Sequence, residues 1–256
     1  MEISSKHSRT IYVGDIHQKF PLLGYDIKHL DISDALIICL GDIGLGFDKI
    51  GHHNKELEDI QKIVKKKNST LLLFRGNHDN PDFFNKDLLD KQDNIIIAED
   101  YSIINQNGIK SLIVGGGISI DRETRLKNHT KKLNKKRKYG SSSPIKQEYW
   151  EGEDIVLDLS KVVDLEDISI LLTHIAPPFT FPIDKLPLEL DLQLISDERD
   201  SRNKLKIIYD ELSKKNTITN WYYGHYHDDY IDHIGECYFR GIDMNKLYEE
   251  MNYIKK

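Results

Sequence analysis

The chain has 256 residues, 39% of them hydrophobic, and its 36 Lys and Arg against 42 Asp and Glu leave a formal net charge of −6. That is enough apolar material for one sizeable core, so a single domain over residues 1–256 is expected. The apolar stretches stop short of the ~20 residues a membrane helix needs. The polar start from Met1 to Thr10 lacks a signal-peptide core, and two cysteines make no disulfide framework; the expectation is a cytoplasmic protein with no membrane contact.

Taken in chain order, Thr10-Ile11-Tyr12-Val13 reads as a buried strand and runs into Gly14-Asp15-Ile16-His17. Leu36 to Leu40 reads the same way and gives way to Gly41-Asp42-Ile43-Gly44. From about Asn54 to Lys67, Leu57, Ile60, Ile63 and Val64 recur at helical spacing, which predicts a surface helix crossing between strands. Leu71 to Phe74 is a third buried strand, followed by Arg75 and then Gly76-Asn77-His78-Asp79. Asn94 to Ala98, Tyr101 to Ile104 and Lys110 to Val114 read as short strands of a second sheet. Ile168 to Leu172 precedes Thr173-His174, Ser201 to Lys215 carries Leu205, Ile208 and Leu212 on one helical face, and the strand-like Trp221-Tyr222-Tyr223 leads into Gly224-His225-Tyr226-His227. Cys39 falls in a core strand and Cys237 near a later one, as plain thiols.

Five polar runs thus sit where strands end. If the strands lie side by side, the runs gather at the carboxyl edge of a sheet, where open α/β folds place their ligands. Their Asp, Asn and His donors, with no cysteine, suit Zn, Mn, Fe or Ni. A histidine alone is more often a satisfied polar residue, which is the reading for His7, His29, His52, His53, His129 and His233. His225 and His227, two apart, would share one side of an extended segment.

The ordered set GDxH, GDxx, GNHD, a lone His and GHxH resembles the calcineurin-like metallophosphoesterase superfamily over Asp15 to His227. The resemblance implies an α/β fold of two packed β-sheets flanked by helices, holding two divalent ions, Mn first, with Fe, Zn or Ni as alternatives. Asp15, His17, Asp42 and His227 would hold one ion; Asp42 as a bridge, with Asn77, His174 and His225, would hold the other. His78 would then reach the phosphate and serve the leaving oxygen while a metal-bridging hydroxide attacks phosphorus. Asp79 either orients His78 or acts as a turn residue.

Three further features bear on the substrate. The segment from Asp121 to Gln147 holds ten Lys or Arg and two acidic residues, a net of +8 in an acidic chain. It reads as a basic insertion that is either a solvated, mobile loop, with Gly140-Ser141-Ser142-Ser143-Pro144 as an exposed turn, or an attractor for polyanions such as a nucleotide or nucleic acid. Just before it, Gly115-Gly116-Gly117-Ile118-Ser119-Ile120-Asp121-Arg122 resembles a run in small bacterial and phage metallophosphoesterases, with Tyr149-Trp150-Glu151-Gly152-Glu153 as its acidic sequel; Asp121, Arg122 and Arg125 would shape a substrate rim. Finally, only eight of the 36 cations are arginine, and one of them, Arg75, precedes Gly76-Asn77-His78 as in serine/threonine phosphoprotein phosphatases. Its fork would either bind phosphate or pair with a carboxylate. Against the phosphatase branch, Leu45 and Gly46 stand where its Asp and Arg would be, with Asp48 as the one candidate to replace the Asp, and His227 is retained as in phosphodiesterases and nucleases. The expected function is therefore metal-dependent hydrolysis of a phosphomonoester or phosphodiester. The alternatives are a protein phosphatase or an inactive interaction module of the same fold.

Overall fold

The structure, a computed structural model, describes residues 1–140, 149–180 and 192–249. In chain order its elements are β1 (Glu2–Ser5), β2 (Arg9–Val13), α1 (Phe20–His29), β3 (Ala35–Cys39), α2 (Ile50–Lys66), β4 (Thr70–Leu73), α3 (Asp82–Asn85), β5 (Ile95–Ile97), β6 (Ile103–Gln106) and β7 (Ile109–Val114). They continue with α4 (Arg122–Tyr139), a 3-10 turn (Leu159–Lys161), β8 (Ile168–Thr173), α5 (Leu192–Leu212), β9 (Asn220–Tyr223), β10 (Tyr230–Ile234), β11 (Cys237–Gly241) and β12 (Leu247–Glu249).

Two mixed sheets result. One runs β12-β2-β3-β4-β5, parallel except for β12, which pairs antiparallel with β2 through Leu247 opposite Val13. The other runs β1-β6-β7-β8-β9-β11-β10, with β7, β8, β9 and β11 parallel. Alternation along each strand explains how the sheets stack. On β3 and just beyond, Leu36, Ile38 and Leu40 face the same apolar layer as Tyr12, Leu72, Ile113, Leu172 and Tyr222, so this layer lies between the sheets. Ile37 and Cys39 face the opposite way, into a layer shared with Leu23 and Ile27 of α1 and Leu57, Ile60 and Val64 of α2. The outer face of the second sheet, with Leu171, Trp221 and Phe239, packs on Leu205, Ile208 and Leu212 of α5. The order is helix, sheet, sheet, helix, with Tyr12 stacked on Tyr222 across the middle at 4.0 Å between ring centroids. Each fully buried Leu, Ile or Val in these layers stabilises the fold by about 1.5–3 kcal/mol.

Helix α4 corrects the expectation of a mobile loop over residues 122–139. No residue of it is buried, so packing leaves no periodic trace in its sequence. It is built from helix-favouring Lys, Arg and Glu, carries a Glu123–Lys127 pair at 2.9 Å, and ends at Gly140, whose φ of 68° is the left-handed cap. The Ser141-Ser142-Ser143-Pro144 part of the expected turn lies outside the described residues. Among the described residues no helix is long and apolar enough to cross a membrane.

Candidate metal centre

The parallel arrangement brings the polar runs together. Asp15 and His17 follow β2, Asp42 follows β3, Asn77 and His78 follow β4, His174 follows β8, and His225 and His227 follow β9, so both sheets contribute at one edge. Asp15, Asp42, Asn77 and His174 are all at most 3% exposed.

One set of donor atoms is close around Asp15. Its Oδ2 lies 3.0 Å from His227 Nε2 and 3.8 Å from His17 Nε2, and those two imidazole nitrogens face each other at 3.2 Å. A second set surrounds His174 Nε2, which lies 2.8 Å from Asn77 Oδ1, 3.1 Å from Asp42 Oδ1 and 3.2 Å from His225 Nδ1. Asp42 joins the sets, because its Oδ2 is 3.8 Å from His17. The other ring nitrogen of His174 meets the Leu40 carbonyl at 2.8 Å, the outer contact that orients a ligating imidazole.

Four of these seven residues hold the left-handed backbone region: His17 (φ 42°), Asp42 (48°), His225 (69°) and His227 (50°). This corrects the expectation of an extended His225–His227 segment. The two rings do not share a side; each turns to a different donor set, His225 to Asn77 and His227 to Asp15.

Two observations fit this cluster to divalent cations. Among the described residues the ion-pair partners of buried Asp15 and Asp42 are imidazoles, which must be neutral to ligate. The backbone also closes tightly on the carboxylates: a Cβ at Gly76 would lie 2.2 Å from Asp42 Oδ1, and one at Gly224 would lie 2.3 Å from Asp15 Oδ1. Three-residue groups able to hold an ion include Asp15, His17 and His227, and Asp15, Asp42 and His174. Electrostatics follow the packing. Burial alone would raise the Asp42 carboxyl, but His174, His78 and His17 outweigh it and hold Asp42 well below the usual range. His174, whose burial is outweighed by Asp42, is raised to about 9, while burial and the neighbouring His174 lower His225 to about 3.

His78 stands at the mouth, its ring 3.7 Å from Asp42 Oδ2 and its backbone N–H donating to Asp42 Oδ1 at 2.8 Å. Arg125, from the first turns of α4, places Nη2 2.8 Å from His78 Nε2 while its Nε donates to Asp121 at 2.7 Å. Asp121 is itself 4.0 Å from His78. Burial lowers the His78 pKa, and Arg125 adds to that against the pull of Asp42. Phe47 packs edge-on to His78 (6.3 Å) and to Trp150 (4.9 Å), walling one side. A cavity of about 610 Å³ opens beyond Arg125, lined by Leu126, His129, Tyr149 and Trp150 among others.

Arg75 and Asp79 take the second of the two roles open to each, and Arg122 makes a contact other than the expected one. The Arg75 fork pairs with a carboxylate: it is 2% exposed, and all five of its N–H donors are engaged. Nε and Nη2 bind Asp100 Oδ2 at 2.9 and 2.7 Å, Nη1 binds the carbonyls of Gly152 and Glu153, and Nη2 also binds that of Asp154. Arg122 turns to Asp197 of α5 instead of the rim. Asp79 does not hydrogen-bond His78. Its Oδ1 accepts the backbone N–H of Gly44 and Leu45 and its Oδ2 those of Ile43 and Gly76, so it locks the loops after β3 and β4 to each other. Asp48 accepts from Gln18 Nε2. Buried His53 is satisfied as expected, accepting from the N–H of Gly46.

Sequence reading missed Phe47, to which no motif pointed. It also missed how Ser119 and Glu153 act: Asn77 Nδ2 donates to Ser119 Oγ at 2.8 Å, and Ser119 donates through Oγ and N to Glu153 at 2.5 and 3.0 Å. The glycine-rich run and the acidic stretch were the available signal.

Residues 8–229 match the family model of the calcineurin-like phosphoesterases. Among curated proteins none matches the chain in sequence. One solved structure is similar with 10% identity and a TM-score of 0.54, over 94% of this chain and 98% of that one. TT1561 of Thermus thermophilus is similar with 9% identity and a TM-score of 0.49, over 94% and 97%. At such identity the likeness concerns the fold alone.

Proposed function

The chain belongs to the calcineurin-like phosphoesterase family, and on that premise we propose that it is a two-metal hydrolase of phosphoesters. The observation that carries this is the convergence of Asp15, His17, Asp42, Asn77, His174, His225 and His227 below His78 and Arg125. Asp15, His17, Asp42 and His227 would hold one divalent ion, and Asp42, Asn77, His174 and His225 the other. The donor set suits Mn, with Fe, Zn or Ni as alternatives. When bound, such ions supply a water activated near neutral pH and polarise the phosphoryl oxygens.

The chain's own groups do the rest. Arg125 offers a guanidinium, the planar donor best matched to phosphate oxygens, at the position where it now touches His78. Phosphate arriving there would take the Arg125 N–H, and His78 Nε2, which accepts from Arg125 without substrate and so must take up a proton in the exchange, would then donate a hydrogen bond or that proton to the leaving oxygen. Phe47 and Trp150 exclude water from that side. Asp79, through four backbone N–H groups, keeps Asp42 and Asn77 in register.

On the substrate, α4 runs on from Arg125 and sets Lys127, Lys131, Lys135 and Lys138 along one helical face. Such a stripe raises the local concentration of polyanions, which favours a nucleotide or nucleic acid. The protein-phosphatase reading loses its main support with the Arg75 fork already engaged. Hydrolysis of chromogenic mono- and diesters with Mn²⁺ tests the proposal. Activity is expected to drop by at least about 100-fold in His78→Ala; equal activity in that variant, or none in the wild-type chain with any of the four metals, would overturn it.

A further inference from the structure

An asparagine can ligate a cation only through its oxygen, yet the two ends of its amide are nearly the same shape. Something must therefore tell Asn77 which way round to sit. The buried chain Asn77, Ser119, Glu153, each at most 3% exposed, contains the answer. A serine hydroxyl has one hydrogen. Here Glu153 Oε2 takes it at 2.5 Å, and Oε1 secures the serine further by accepting its backbone N–H at 3.0 Å. What Ser119 Oγ then turns to Asn77 is lone pairs alone, which accept from Nδ2 at 2.8 Å. The amide oxygen is thereby left facing His174 Nε2 at 2.8 Å and His225 Nδ1 at 2.9 Å. Glu153 is in turn held by its main chain, whose carbonyl accepts from Arg75 Nη1 at 2.9 Å and from the N–H of Gly117 at 3.0 Å.

We propose that Glu153 is a positioning residue that sets the polarity of the Asn77 amide through Ser119, so that the oxygen and not the nitrogen faces the metal centre. This rests on the reading of Asn77 as a metal ligand. Glu153→Gln keeps shape but reverses the relay: the introduced amide NH₂ donates to Ser119 Oγ, freeing the serine hydrogen to point at Asn77 and favour the flipped amide. Asn77→Asp alone fails for the opposite reason, since both its ends are oxygens and one meets the Ser119 lone pairs. Combined, the two substitutions match again, because the freed serine hydrogen now meets a carboxylate oxygen.

The test is calorimetric titration of the full chain with Mn²⁺ alone at pH 8, with thermal unfolding to confirm that each variant folds. The weaker of two Mn²⁺ affinities should fall by about 10- to 100-fold in Glu153→Gln and in Asn77→Asp, as for other outer contacts of metal ligands, and should recover at least tenfold from the worse single in the Glu153→Gln, Asn77→Asp double variant. Such coupling is what a cycle of singles and double isolates. Wild-type affinity in Glu153→Gln, or a double variant no better than the worse single, would overturn the proposal. No Mn²⁺, Fe²⁺, Zn²⁺ or Ni²⁺ binding by the wild-type chain would instead remove the reading beneath it, and the proposal too.

Discussion

Arg75→Lys separates two readings of one residue. If Arg75 bound phosphate, lysine would raise KM and leave stability alone. The structure predicts the reverse. The guanidinium satisfies five acceptor contacts, two on Asp100 and three on main-chain carbonyls. An ammonium has three donors on a shorter head, so at least two contacts are lost in a site that is 2% exposed. Hydrogen bonds to charged groups contribute about 1.5–3 kcal/mol each, and retention of the positive charge beside Asp100 offsets part of the loss, so the net destabilisation should be about 2–4 kcal/mol. For a domain of this size that lowers Tm by about 5–15 °C. Differential scanning fluorimetry measures the shift, and steady-state kinetics with a chromogenic phosphoester at 20 °C measures KM, expected to stay within about threefold. An unchanged Tm with KM raised tenfold would refute the structural role and restore the phosphate reading.

Other expectations follow from the rim, the basic helix and the buried carboxylate. Arg125→Ala should raise KM for small phosphoesters by about 10- to 100-fold, one charged hydrogen bond's worth, with little change in Tm; an unaltered KM would place the phosphate elsewhere. Lys131→Glu with Lys135→Glu should lower kcat/KM on an oligonucleotide by about tenfold at low salt and leave a chromogenic substrate untouched; equal effects on both would argue against a substrate track along α4. Burial pushes the Glu153 carboxyl up to about 7, opposed by its bonds from Ser119. A carboxyl raised in the folded state contributes stability that is complete below its unfolded value near 4.5 and is lost as pH rises through about 7. The metal-free protein should therefore lose Tm between pH 5 and 8 more steeply than Glu153→Gln; parallel curves would contradict that.

The strands and the polar runs were legible because buried parallel strands are continuous apolar stretches and the polar side chains of the cluster follow within a few residues. Leu36 to Leu40 with Asp42 is such a case: one local window carries both the strand and the donor. Less local features stayed hidden. Arg75 and Glu153 are 78 residues apart, and nothing in either neighbourhood says that a guanidinium will meet that carbonyl. Helix α4 escaped because it has no apolar face to impose a period. Helix α1 was missed although Leu23 and Ile27 are buried, since it spans only ten residues with a glycine inside. The direction of a side chain was the hardest thing to read: His225 and His227 both reach the cluster, but their backbone turns were not foreseeable from spacing two.

Those turns carry a consequence for how this protein would evolve under selection. An L-residue other than asparagine or aspartate costs roughly 1–2 kcal/mol in the left-handed region, and His17, His225 and His227 occupy it beside the better-tolerated Asp42. Against a typical total of about 5–15 kcal/mol, three such positions are a substantial share. A screen for thermostability alone would therefore drift toward glycine or asparagine at the very residues grouped in the candidate metal centre, and its winners would be tougher proteins without the proposed ligands. Any effort to harden this fold has to hold those positions fixed and look for its gains elsewhere.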